Sequence, residues 1–154
     1  SGYVEKALRY LHALQLMALL IRPAALEAAL RFTRDELDEL ADRFTSPGSA
    51  YLADMLEAIL KHTTLEPLYV ILSETNHLLE WGHHFAYYPS KRRTLSHLNK
   101  QVIAAFRQLN QGNADSFADG IADCYCYILV CMKKHMTEKY KFSNASNIRI
   151  PEKY

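Results

Sequence analysis

Apolar positions in this chain recur every three or four residues, and no segment alternates with period two over a useful length. That periodicity predicts helices throughout. The first is expected from about Tyr3 to Ile21, and Pro23 suits the first turn of a second, ending near Phe32. Thr33-Arg34-Asp35-Glu36 is a capping-box pattern, in which each side chain satisfies a free backbone donor. It predicts a third helix ending near Phe44. Thr45-Ser46-Pro47-Gly48-Ser49 is the clearest turn. A fourth helix follows to about His62, and a fifth runs from about Glu66 to Trp81. Gly82 to Arg93 reads as an aromatic and basic loop. A sixth helix is expected from about Leu95 to Asn110, broken by Gln111-Gly112-Asn113, and a last from about Asp115 to Tyr140. Residues 1–142 are thus expected to form one all-α domain, a bundle of six to seven helices, with residues 143–154 as a polar tail.

Two of these helices carry acids beside an apolar stripe. On the fifth, Leu68, Ile71, Leu72, Leu78 and Leu79 are expected to face the core. Glu74, His77, Glu80 and His84 gather on another side. On the last, Phe117, Ile121, Cys124, Ile128 and Cys131 form one stripe, while Asp115, Asp119 and Asp123 recur every four residues opposite it. From Cys124 to Met132 the segment is apolar all round, which predicts burial all round. Asp123 then sits where a wet face becomes a dry one, and an acid there needs a hydrogen bond, a counter-ion or a metal. Carboxylate ligands suit Mg²⁺ or Mn²⁺. Such an ion can bridge phosphate oxygens and activate a water. Lys91, Arg92 and Arg93 could add positive charge for a nucleotide.

Composition narrows the classes. The chain has 154 residues, 49% hydrophobic and 23% charged, enough for one domain with its own core. A net charge of +1 supplies no global basic field for nucleic acid. Leu14 to Ile21 and Tyr125 to Met132 are each too short to span a membrane, so no membrane association is expected. Cys124, Cys126 and Cys131 lie in one apolar segment, with no CxxC pair for zinc. They read as reduced core cysteines of a cytoplasmic protein.

Glu74-Thr75-Asn76-His77-Leu78-Leu79-Glu80 and Ala118-Asp119-Gly120-Ile121-Ala122-Asp123-Cys124-Tyr125-Cys126-Tyr127 resemble the two acid motifs of the all-α nucleoside triphosphate pyrophosphohydrolases, the MazG-like and dimeric dUTPase-like enzymes. Lys141-Phe142-Ser143-Asn144 is similar to the segment after the last helix that grips nucleotide in some members. The resemblance covers roughly Leu65 to Asn147. It implies Glu74, Glu80, Asp119 and Asp123 as Mg²⁺ ligands, with Glu74 and His77 as the catalytic pair, His77 a weak ligand or a group orienting water. Lys91, Arg92, Arg93, Lys141 and Asn144 would bind a nucleoside triphosphate, hydrolysed to monophosphate and pyrophosphate by a homo-oligomer. Two positions depart from the pattern: His77 and Gly120 stand where the family has glutamates.

A non-enzymatic reading stands beside it. Trp81, Phe85 and Tyr88, followed by the basic run Lys91 to Arg93, are the residue types that interface cores favour, and suggest an adaptor or oligomerisation module. Weaker patterns add little. Arg92 and His97 match the Rx4H spacing of HEPN-type ribonucleases, which seven histidines can produce by chance. Leu26 to Phe44 threads as a helix-turn-helix, but Asp35, Glu36, Asp38 and Glu39 have the wrong sign for DNA. Leu37, Leu40 and Asp42 fit a BH3-like pattern, yet Pro89 to Arg93 is too polar for the buried central helix of a Bcl-2-like fold.

Overall fold

The computed structural model describes residues 2–79 and 90–139, which form six helices and no strand. These are α1 (Gly2–Arg31), α2 (Arg34–Arg43), α3 (Tyr51–Lys61), α4 (Glu66–Leu79), α5 (Lys91–Asn110) and α6 (Ala114–Lys139). The chain is therefore an all-α bundle.

α1 is the organising element. It runs unbroken through Pro23, where a boundary was expected. Proline inside a helix removes one backbone donor and costs about 3 kcal/mol. Burial on both sides of it offsets that cost, because Met17, Ile21, Ala24, Ala25 and Ala28 all lie on one buried stripe. Glu5–Arg31 also has the length of a membrane-crossing helix and contains an 18-residue stretch with a mean hydropathy of 1.5, which its short apolar runs alone do not suggest. Here it is the bundle's central helix.

α1 packs along α6 on one flank and α4 on the other, with α3 behind. Both flanking pairs are antiparallel. Arg22 meets Asp119, while Tyr10 and Leu14 share a cleft with Tyr125 and Ile128. Likewise Glu27 meets Thr64, while Tyr10 and Leu14, toward the other end of α1, share the cleft with Asn76 and Leu79. α5 completes the bundle by packing on α6.

Local signals hold several boundaries in place. Glu36 N–H donates to Thr33 Oγ1 at 3.2 Å, and Thr33 N–H donates to Glu36 Oε1 at 3.0 Å, the capping box read from the sequence. Gly112 adopts φ +82°, with its N–H on the Leu109 carbonyl and the Asn113 N–H on the Gln108 carbonyl. That pairing closes α5 in a left-handed Schellman cap that favours glycine. α5 begins four residues earlier than expected, with Ser90 as N-cap accepting from Arg93 N–H. Lys91 to Arg93 thus form its first turn, although cations there oppose the helix dipole, and do not end the aromatic and basic loop expected from the sequence.

Two burial expectations need correction. On α4 the buried positions are Leu72, Thr75 and Leu79, with Leu68 half-buried; Ile71 and Leu78 are exposed. On α6 the stripe of Phe117, Ile121, Cys124, Ile128 and Cys131 is buried as expected, but Val130 is exposed and Cys126 half-buried. The segment is apolar all round without being covered all round.

Candidate functional site

The acid-bearing helices do not face each other. α4 and α6 lie on opposite flanks of α1, and share no packed face comparable to the one each makes with α1. Glu74 and His77 are exposed on α4, while Asp119 and Asp123 are half-buried on α6. Among the described residues, no three His, Cys, Asp or Glu side chains converge as a metal site.

The acids of α6 have another partner, which sequence reasoning missed. Arg22 Nε donates to Asp119 Oδ1 at 2.8 Å, and its Nη2 donates to Asp115 Oδ1 at 3.1 Å. The hydrogen bond from Asp119 holds the guanidinium even more firmly protonated than usual. One cation thus takes up the two acids one turn apart. A signal was present: Arg22 is the sole formally charged residue between Tyr10 and Leu26.

Position 120 has its own explanation. A Cβ on Gly120 would stand 2.9 Å from the Ala105 Cβ. α5 and α6 cross there with no room for a side chain, so the glutamate of the resembled motif would not fit. Of the basic residues, Lys91, Arg92 and Arg93 are all exposed in the first turn of α5. His97 stacks on Tyr127, with ring centroids 4.1 Å apart. Glu80, Trp81, Phe85, Tyr88, Lys141 and Asn144 lie outside the described residues.

Two other features stand out. The first is a cleft of about 490 Å³ between α1, α3, α4, α5 and α6. Its walls include Leu14, Leu52, Leu56, Leu79, Leu98 and Ile128, and the exposed Lys91 also lines it. The second is on the other side of the molecule. Asn76 and Leu79 turn toward the cleft, so Ile71 and Leu78, on the far flank of α4, face outward. There α1 exposes Leu16 and Leu19, and α6 exposes Val130. These five lie on α1 and on the two helices, α4 and α6, that pack against it.

The thiols are not poised for chemistry. All three cysteines are free. Burial, and then the charge of Asp123, pushes the Cys124 thiol up to about 12, and burial also raises Cys131. Comparison with protein-family models, curated proteins and solved structures finds no match for this chain.

Proposed function

We propose that this protein is a non-enzymatic helical module that self-associates through the outer face of α1, α4 and α6. The observation that carries this reading is the set Leu16, Leu19, Ile71, Leu78 and Val130, each between 38% and 46% exposed on one side of the bundle. Single exposed leucines are ordinary, but apolar side chains gathered on adjacent helices mark interaction surfaces. α1 supports the same reading. It has buried residues on its inner side and exposed leucines on its outer side, and a helix apolar all round is normally covered all round.

A second copy of the chain is the occupant that fits best. A face centred on one helix is self-complementary about a two-fold axis, which would set α1 against α1. A net charge of +1 gives copies little mutual repulsion. Arg22 pairs with Asp115 and Asp119 on α6, and Glu74 is the exposed acid between Ile71 and Leu78 on α4. That pairing, and the placement of Glu74 beyond α1, favour a binding role over a metal-dependent hydrolytic one.

The test is light scattering on the Leu19→Asp, Ile71→Asp double variant after size exclusion. Both sites are exposed, so the helical circular dichroism should be unchanged while the mass falls from dimer to monomer. A variant as large as the parent would contradict the reading.

A further inference from the structure

We infer that the 490 Å³ cleft is a binding site for a single-chain alkyl carboxylate, with its chain inside and its head at Lys91. Size comes first. Native cores leave few voids larger than a water molecule, whereas small-molecule sites occupy about 300–1,000 Å³. The cleft falls in the second class, and five of the six helices contribute to its wall.

The wall chemistry selects the body of the ligand. Leu14, Leu52, Leu56, Leu79, Leu98 and Ile128 offer aliphatic surface, which favours a flexible chain. The polar groups select its head. Lys91 is the sole charged residue among the described residues of the wall, and no acid joins it. One cation matches one negative charge. A polyphosphate would need several. Asn99 is committed, donating to the Ser49 carbonyl at 2.7 Å and accepting from Tyr51 N–H at 3.1 Å. Asn76 forms no side-chain hydrogen bond among the described residues, so its amide is open to a ligand in the cleft.

This site lies on the side of α4 opposite the outer face, so it is independent of self-association. Calorimetric titration of the full chain with decanoate, and with decanol as its neutral counterpart, tests it. Decanoate should saturate at one per chain and bind about tenfold more tightly than decanol. Lys91→Gln should weaken decanoate about tenfold and leave decanol unchanged. Ala53→Phe, which fills the cleft from α3, should abolish binding of both while the melting temperature is kept. Binding without saturation, or binding that survives Ala53→Phe, would overturn the site. Equal loss of both ligands in Lys91→Gln would overturn the assignment of the head group.

Discussion

Gly120 lies so close to Ala105 that a methyl group on it would stand 2.9 Å from the Ala105 Cβ. Ala105 is itself buried, so neither helix can yield without moving backbone. Glycine normally costs a helix about 0.5–1 kcal/mol relative to alanine, so Gly→Ala usually stabilises. Here overpacking of about 1–3 kcal/mol outweighs that gain. Gly120→Ala is predicted to lose about 1–2 kcal/mol net in chemical denaturation. Adding Ala105→Gly should recover part of the loss, because the two sites share one contact. A Gly120→Ala variant as stable as the parent would show that the crossing has slack.

Arg22 and Asp119 make a second testable pair. Arg22→Ala removes the cation from two acids at once, and Asp119→Asn removes one acid from the cation. Each single change should lower the melting temperature. The double variant should lose less than the sum, since both remove the same interaction. Because the acids are largely exposed, the coupling should shrink in high salt. Additive losses at low salt would mean that the pair contributes nothing.

Glu36 links the pH dependence to α2. Its carboxyl is held below the ordinary value of 4.5 by the Thr33 backbone N–H and by His62, whose Nε2 lies 2.7 Å from Oε2. A lowered folded value means the contribution is complete above the ordinary value and is lost as pH falls below it. Stability should therefore decline as pH drops through about 4.5. Glu36→Gln keeps a capping-box acceptor but not the charge. It should flatten that decline in melting temperature against pH. An unchanged slope would place the acid sensitivity elsewhere, with Glu27 on Thr64 the next group to examine.

Cysteine reactivity reports the packing of α6. Cys124 is buried and its thiol lies at about 12, so little thiolate exists near neutral pH. Pulsed labelling with N-ethylmaleimide should modify half-buried Cys126 first and Cys124 last, as read by peptide mass spectrometry. Labelling of Cys124 in the native protein at the rate of Cys126 would mean that α6 opens away from α1 and α5.

Legibility in the sequence followed the range of the interaction. Thr33 with Glu36 acts within a few residues and was readable as a cap, and Gly112 was readable as a helix break. The buried stripe of α6 was also readable, since its period is local. Pro23 misled because its cost is local while the burial that offsets it comes from other helices. Ile71 and Leu78 are apolar, and periodicity alone placed them inside; the position of α1 against Leu72, Thr75 and Leu79 put them outside. The acids of α6 were legible as a patterned set. Their partner was not, because Arg22 and Asp119 are 97 residues apart. The same holds for the expected metal site. Spacing showed that two helices carry acids, and only the fold shows that both pack on α1.

The outer face of α1 is the centre of the account, and sedimentation velocity of the unmodified chain over a dilution series tests it most directly. The account predicts a dimer that gives way to monomer on dilution, with no larger species, as a closed two-fold interface requires. A chain that sediments as a monomer at every concentration would contradict it.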